Sequence, residues 1–139
     1  MKSGEFKKEY IAICEGTLPH TSGTVNAPIA RKDGSIIERC IDKTGDTAIT
    51  HYDVLKSNNS MSVVHLILVT GRTHQIRVHM AYIGNPIIGD TLYGHASNLI
   101  NRQALHSNKV SFIHPVTKKQ LILTAPLFDD MSTIINNCI

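Results

Sequence analysis

Hydrophobic residues follow the pattern of extended strands in several short runs of this chain. In one place they recur instead at the three- and four-residue spacing of a helix. From Lys8 to Glu15 the sequence KEYIAICE places apolar side chains on both faces of an extended segment, with Tyr10, Ala12 and Cys14 on one of them. Apolar residues on both faces are typical of a strand that is buried on both sides. This segment is therefore predicted to be a central strand.

A β-hairpin is the clearest local prediction. Two β-rich runs, Ala48 to Lys56 and Met61 to Val69, flank the turn-forming sequence Ser57-Asn58-Asn59-Ser60. The short polar connection predicts that the two runs pair with each other as antiparallel strands.

The period changes after Gly71. Ile76, Met80 and Ile83 recur at i, i+4 and i+7, and Gly84-Asn85-Pro86 then provides a stop signal. This spacing predicts an amphipathic helix at about residues 73–83.

The rest of the chain carries weaker patterns. The segment from Gly23 to Asp46 is predicted to be irregular, and a short polar helix is predicted near Ala96 to Gln103. Two further strands are predicted at Ala104 to Ile113 and Gln120 to Ala125. The chain, residues 1–139, is therefore predicted to be a single α+β domain with a mainly antiparallel or mixed sheet.

Composition agrees with a globular domain. The chain has 139 residues, of which 42% are hydrophobic and 18% are charged. It has no apolar run of the ~18 residues needed to span a bilayer, and MKSGEFKKEY lacks the hydrophobic region of a secretory signal. These features favour a cytoplasmic protein that does not bind membranes.

Neither the cysteines nor the histidines form a metal-binding motif. The three cysteines are widely spaced and are interpreted as free thiols. His74 and His79 are five residues apart, so they lie on different faces of the predicted helix, and no HExxH motif is present. No metal site is predicted. The formal charge of +3, with 14 basic and 11 acidic residues, permits a nucleic-acid partner without requiring one.

The candidate chemistry lies in VTGRTHQIRVH, residues 69–79. If the helix begins near Thr73, this hydroxyl caps it, and Arg72 lies beside unpaired backbone N–H groups at the positive end of the helix dipole. His74 and Arg77 are three residues apart and share one face of the helix. The start of the helix is therefore expected to attract anions.

Arg77 raises a question of its own. Its position within the amphipathic pattern predicts a partly buried guanidinium, which requires an acidic or phosphate partner. An ion pair with an Asp or Glu of this chain is the more common arrangement for a single arginine. Both partners stay open at this point.

The run TGRTHQIRVHMAYIGNPIIGDTLYG, residues 70–94, resembles the signature of the RluA family of RNA pseudouridine synthases. Three further segments resemble the family in the same order along the chain. They are KKEYIAICEG at residues 7–16, ITHYDVL at 49–55 and QALHSNKVSFIHPVT at 103–117.

The resemblance implies roles for several residues. Tyr10 matches the active-site tyrosine, which lies against the target uracil, and Arg77 matches the arginine that pairs with the catalytic aspartate. Residues implied to support the site or to bind RNA are Lys8, Arg72, His74 and Gln75. The implied reaction converts uridine to pseudouridine in rRNA or tRNA without a cofactor.

One element of the family pattern is missing. The nucleophilic aspartate belongs to an HRLD motif upstream of the Lys-x-Tyr strand, and HRLD does not occur in this sequence. The chain is therefore expected to be the C-terminal part of a catalytic domain, inactive alone, and to form a homodimer through surfaces that the missing part would cover. The alternatives are a noncatalytic RNA-binding module and a purely structural domain.

Overall fold

The structure is a computed structural model that describes residues 6–139, and in this range the chain forms eight strands and two helices. The elements are β1 (Phe6–Glu15), β2 (Ser22–Asn26), β3 (Ile29–Arg31), β4 (Arg39–Ile41), β5 (Ile49–Ser57), β6 (Met61–Leu68), α1 (Gln75–Tyr82), β7 (Leu105–Ile113), β8 (Gln120–Thr124) and α2 (Asp129–Cys138).

Six of these strands form one sheet in the order β2-β5-β6-β1-β7-β8, and β3 pairs with β4 in a separate ribbon. Every pairing between these strands is antiparallel. The predicted α+β class is confirmed, and within the described residues the sheet is antiparallel rather than mixed.

Strand β1 lies at the centre of the sheet, between β6 and β7. Ala12, Ile13 and Cys14 have no exposed surface, which confirms the prediction of a strand buried on both faces. Burial, reinforced by the nearby charge of Glu15, raises the pKa of the Cys14 thiol to about 12. This thiol therefore stays protonated and packs as a small apolar side chain.

The predicted hairpin is confirmed as β5 and β6. Its turn is stabilised by the side chain of Asn58, whose Oδ1 accepts the backbone N–H groups of Ser60 (2.8 Å) and Met61 (2.9 Å). A short polar side chain that satisfies the turn backbone explains why this local sequence specifies the connection without help from the core.

Two of the weaker predictions are wrong. The segment from Gly23 to Asp46 is not wholly irregular, because it contains most of β2 and all of β3 and β4. These strands have three to five residues, too few to show a period, and β2 forms through its pairing with β5.

The second wrong prediction is the short helix near Ala96 to Gln103, a segment with no helical turn in the structure. Instead, the segment buries Ile100 and leads into Ala104, whose N–H donates to the Ile88 carbonyl (3.0 Å). Helix α2, which the sequence pattern did not predict, buries Met131 and Ile134 in the core.

The β8 edge of the sheet carries exposed apolar side chains. Ile122 is 52% exposed and Leu123 is 60% exposed. An apolar edge strand is a template for pairing with another chain, so β8 is a surface through which the predicted homodimer could form. The homodimer itself stays a prediction. No helix between residues 6 and 139 is long and apolar enough to span a membrane.

Candidate active site

An open pocket of about 370 Å³ brings together residues from β1, β6, α1 and the segment that leads into β7. Its lining includes Tyr10 and Arg77, the two residues predicted to be catalytic, and also His74 and Gln75. We call it the Tyr10 pocket. The other lining residues are Leu68, Ile76, Gln103 and Leu105.

Tyr10 reaches this pocket at an irregularity in the sheet. The register between β1 and β7 shifts between Glu9 and Tyr10, so that Glu9 pairs with Lys109 whereas Tyr10 pairs with Ser107. Such a bulge bends the strand and changes the direction of a side chain, and bulges are common beside active sites. The Tyr10 hydroxyl has no hydrogen-bond partner among residues 6–139, so it is free to meet a ligand.

Helix α1 begins at Gln75, two residues later than predicted. The predicted cap is wrong, because the residue before the helix is His74 in a left-handed conformation (φ 57°), without a side-chain capping bond. The Gln75 side chain instead holds the segment before the helix, since its Oε1 accepts the Arg72 backbone N–H (3.0 Å) and the Thr70 hydroxyl (2.7 Å). Residues 70–72 are thereby held against the helix.

The prediction that Gln75 contacts RNA is corrected by its burial. Gln75 is only 2% exposed, and its Nε2 donates to the Ile49 carbonyl and to the Thr50 hydroxyl, both at 2.9 Å. An amide whose donors and acceptor are all used within the protein has no group left for a ligand. Gln75 therefore anchors the start of α1 to β5, beneath the pocket.

His79 continues this buried network. Its Nε2 donates to the Ala27 carbonyl (2.9 Å), so the imidazole proton is assigned to Nε2, and Nδ1 accepts the Thr50 hydroxyl (2.8 Å). His79 has no exposed surface. Burial lowers the pKa of His79 below its ordinary value of 6.5, which outweighs the opposing effect of the Ala27 carbonyl.

This network predicts acid sensitivity. Because the folded-state pKa of His79 is lowered, its neutral form stabilises the fold above pH 6.5, and that stability is lost as the pH falls from 6.5 towards the folded-state pKa. The expected loss is up to about 1.4 kcal/mol per pH unit in this window. Urea unfolding at a series of pH values will measure it.

His79→Gln keeps one donor and one acceptor but does not titrate, so it should flatten the dependence on pH. The matched control is His20→Gln, which changes an exposed histidine in a loop and should leave the dependence unaltered. If the free energy of unfolding of His79→Gln keeps the pH dependence of the unmodified chain, His79 is not the source of that dependence. Any pH dependence of the unfolding free energy that remains in His79→Gln should come from His74, whose pKa is also lowered.

Arg77 forms a bidentate ion pair with Asp90. Nε lies 2.9 Å from Oδ2 and Nη2 lies 2.9 Å from Oδ1, and the Asp90 side chain has no exposed surface. Arg77 therefore has an acidic partner within this chain, and its pairing with a catalytic aspartate of an HRLD segment stays a prediction. The common alternative, an internal ion pair, is what the structure contains.

The environment of Asp90 keeps its carboxylate ionised. Burial by itself would raise the pKa of Asp90, but hydrogen bonds from Arg77 and from the backbone N–H groups of Tyr93 and Leu92 outweigh this effect and lower it. The hydrogen bond to Asp90 raises the pKa of Arg77 in turn. Both groups are therefore charged at neutral pH.

The backbone before Asp90 explains its position. Gly89 adopts φ 77°, and a Cβ at this residue would clash with the Arg102 carbonyl oxygen, so only glycine fits. The preceding residue is tied to the central strand, because the Ile88 N–H donates to the Ile13 carbonyl (2.9 Å). Asp90 is thus placed beneath α1 by contacts with β1.

Tyr93 connects Arg77 with His74. The Arg77 guanidinium lies 5.1 Å from the centre of the Tyr93 ring, and the Tyr93 hydroxyl lies 2.7 Å from Nδ1 of His74. Burial, followed by the positive charges of Arg77 and Arg39, lowers the pKa of His74 below 6.5. His74 is therefore neutral at pH 7, and the pocket wall does not depend on its charge.

A sequence model of the family described as RNA pseudouridylate synthase matches residues 1–82, more than half of the chain. The chain belongs to this family.

Individual RNA pseudouridine synthases agree with this assignment. The uncharacterized RNA pseudouridine synthase YjbO of Bacillus subtilis (strain 168) is 51% identical over 134 residues, covering 96% of this chain and 47% of its own length. Ribosomal large subunit pseudouridine synthase D of Vibrio cholerae is 37% identical, covering 94% of this chain and 44% of its own length. The chain thus spans about half the length of the curated relatives it matches.

A solved structure supports the fold. Human RNA Pseudouridylate Synthase Domain Containing 1 superimposes with a TM-score of 0.76 at 26% identity, covering 88% of this chain and 55% of its own. The family assignment and the fold therefore agree.

Arg72 and Lys8, the remaining residues predicted to bind RNA, do not line the Tyr10 pocket of this synthase-family chain. Arg72 is exposed, and its Nε donates to the Thr47 carbonyl (2.8 Å). Lys8 lies two residues before Tyr10 on the same face of β1, and its Nζ lies 5.4 Å from the centre of the Phe6 ring. Both roles in RNA binding stay predictions.

Asp90 and Tyr93 were missed as site residues, although both belong to the GDTLYG sequence that ends the family signature. An aspartate directly after a glycine within this signature was the available signal, but only the fold shows that the aspartate is buried and reaches Arg77. Within residues 6–139, no cluster of three or more His, Cys, Asp or Glu side chains could hold a metal ion.

Proposed function

We propose that this chain is the C-terminal portion of the catalytic domain of an RNA pseudouridine synthase, and that the Tyr10 pocket receives the target uridine. The observation that carries the proposal is that Tyr10 and Arg77, far apart in the sequence, line one pocket. Both were singled out from the sequence as catalytic residues. Two residues that act on the same uridine must lie in the same pocket, as Tyr10 and Arg77 do.

In the proposed reaction the N1–C1′ bond of a uridine breaks, the uracil turns, and a C5–C1′ bond forms. The uridine must leave its stack to enter the pocket, which costs a few kcal/mol and favours irregular RNA. Tyr10 supplies a ring for the uracil to lie against and a hydroxyl for proton transfer. No cofactor takes part in this scheme.

Arg77 has a defined place in this scheme. Nε and Nη2 are occupied by Asp90, whereas Nη1 has no hydrogen-bond partner among residues 6–139. We propose that Nη1 faces the nucleophilic aspartate, which an HRLD segment outside this sequence supplies. Asp90 then orients the guanidinium, so that a single arginine joins two carboxylates.

We propose ribosomal RNA as the substrate ahead of tRNA. The relative from Vibrio cholerae is named as a synthase of the large ribosomal subunit, and it matches 94% of this chain. An RNA-binding module without catalysis is the second candidate, because the HRLD motif is absent from these 139 residues.

A hybrid enzyme tests the proposal. This chain is substituted for the matching region of the Vibrio cholerae synthase, and tritium release from ribosomal RNA labelled at C5 of uridine is measured. Forming the C5–C1′ bond expels that hydrogen, so the folded hybrid is expected to release tritium and the isolated chain is not.

Two results would count against the proposal. A folded hybrid without activity would favour the RNA-binding module. Activity of the isolated chain at a rate near that of the hybrid would contradict the requirement for the missing aspartate. Circular dichroism of each protein shows that a negative result comes from a folded sample.

A further inference from the structure

A basic cleft lies next to the Tyr10 pocket. Its volume is about 310 Å³, and it is lined by three arginines, Arg31, Arg39 and Arg72, with Asp46 as the one acidic residue. We call it the arginine cleft. Thr73 lines this cleft and the next residue, His74, lines the Tyr10 pocket, so the two cavities are neighbours.

The arginine charges are not neutralised within the described protein. Arg31 and Arg39 lie directly opposite each other in the β3–β4 ribbon, an arrangement in which like charges destabilise a sheet. The next residues towards the turn that joins the two strands, Lys32 and Glu38, form an ion pair in which Nζ lies 2.7 Å from Oε2. None of the three cleft arginines forms a salt bridge within residues 6–139.

Two of the guanidinium groups are held in place by backbone carbonyl groups. Nε of Arg72 donates to Thr47 (2.8 Å), and Nη1 of Arg39 donates to Ile37 (3.2 Å). Each group keeps further N–H donors. Guanidinium groups with free, oriented donors match the geometry of phosphate oxygens, and holding them in advance lowers the entropy cost of binding.

The arginine cleft is also connected to the pocket wall. The backbone N–H of Arg39 donates to the Tyr93 hydroxyl (2.9 Å), and that hydroxyl lies 2.7 Å from His74. The arginine cleft and the Tyr10 pocket therefore share a hydrogen-bonded wall.

We propose that the arginine cleft binds phosphates of the RNA strand that flank the target uridine. This inference rests on the proposed function, because the pocket must hold a nucleotide of the same strand. Phosphate contacts of this kind position an RNA without reading its sequence. The cleft would therefore set the affinity and the register of the bound RNA, and other parts of the protein would determine which RNA is selected.

Salt-dependent binding tests the proposal directly. Binding of a fluorescein-labelled single-stranded oligouridylate to the 139-residue chain is measured by anisotropy at a series of NaCl concentrations. Arg31→Ala and Arg72→Ala should each weaken binding, and each should lower the slope of log K against log salt by about 0.7. Arg31 is the cleaner position, because its side chain has no hydrogen bond among residues 6–139.

The control is Lys119→Ala. It removes the same formal charge from an exposed turn between β7 and β8, at the far edge of the sheet from β2. The control should bind with the slope of the unmodified chain, so that an effect of net charge is separated from an effect of the cleft.

Each other outcome overturns the proposal. If the chain binds the oligonucleotide but both arginine variants keep its slope, the phosphates bind elsewhere. If the chain does not bind at low salt, the cleft does not hold RNA. If polyglutamate of the same charge competes as well as RNA, an acidic protein is the better partner. None of these results requires catalysis, so failure of the proposed function is seen separately in the hybrid enzyme.

Discussion

Replacing Asp90 with alanine is expected to lower the free energy of unfolding by about 3 kcal/mol. The variant leaves the Arg77 guanidinium, whose side chain is only 16% exposed, without its bidentate partner. It also removes the acceptor for the backbone N–H groups of Leu92 and Tyr93. An uncompensated charge in a mostly buried position is costly because neither water nor a counter-charge replaces the lost contact. Urea unfolding of the isolated chain will measure the loss.

The chain contains a matched control for this prediction. Arg102 and Asp130 form a bidentate pair with similar distances, 3.1 and 2.9 Å, but their side chains are 33% and 38% exposed. Asp130→Ala should therefore cost about 1 kcal/mol or less. Equal losses in the two variants would contradict the argument from burial.

The effect of Asp90→Ala should depend on pH in a defined direction. The folded-state pKa of Asp90 is lowered below its ordinary value of 3.8, so the pair stabilises the fold above that value. The stability is lost as the pH falls from there through the folded-state pKa. The difference in the free energy of unfolding between the unmodified chain and Asp90→Ala should thus be constant near neutrality and shrink only in strong acid.

Replacing Tyr10 with phenylalanine in the hybrid enzyme is expected to reduce its activity by a factor of about 10² to 10⁴. The variant keeps the ring against which the uracil would lie and removes only the hydroxyl proposed to transfer a proton. Because this hydroxyl has no protein partner among residues 6–139, the free energy of unfolding should change by less than about 0.5 kcal/mol. Tritium release and urea unfolding measure the two quantities.

Tyr82→Phe is the control for this change. Tyr82 is 59% exposed at the end of α1, so the same chemical substitution should leave both activity and stability unaltered. If Tyr10→Phe retains the activity of the parent hybrid, proton transfer by the hydroxyl is excluded. Tyr10→Ala would then show whether the ring alone contributes.

The central strand, the hairpin and helix α1 were predictable because each has a local cause, whereas the ten-residue helix α2 was not predicted. The hairpin follows from β-rich runs around a turn that Asn58 stabilises with its own side chain. Helix α1 follows from an apolar spacing of three and four residues. Strands β3 and β4 have three residues each and depend on pairing across the chain, which no local pattern records.

The site was predictable in its residue types and less so in its contacts. Tyr10 and Arg77 were identified from the sequence and share a pocket in the structure. Gln75 was predicted to support the site or to bind RNA, and its burial beneath the site leaves the first of these roles. A glutamine at the start of a helix looks the same in sequence whether it faces solvent or the neighbouring strand, so burial decides between the two.

The amino-acid sequence by itself determined the α+β class, the central strand and the hairpin, because these depend on spacing within short segments, and its resemblance to a family supplied the candidate catalytic residues. The tertiary structure alone decided the partner of Arg77. A guanidinium requires an anion but does not specify which one, and the choice of Asp90 comes from the backbone contacts that fasten the preceding segment to β1. The arginine cleft has the same origin, since its residues come from separate segments that only folding brings together.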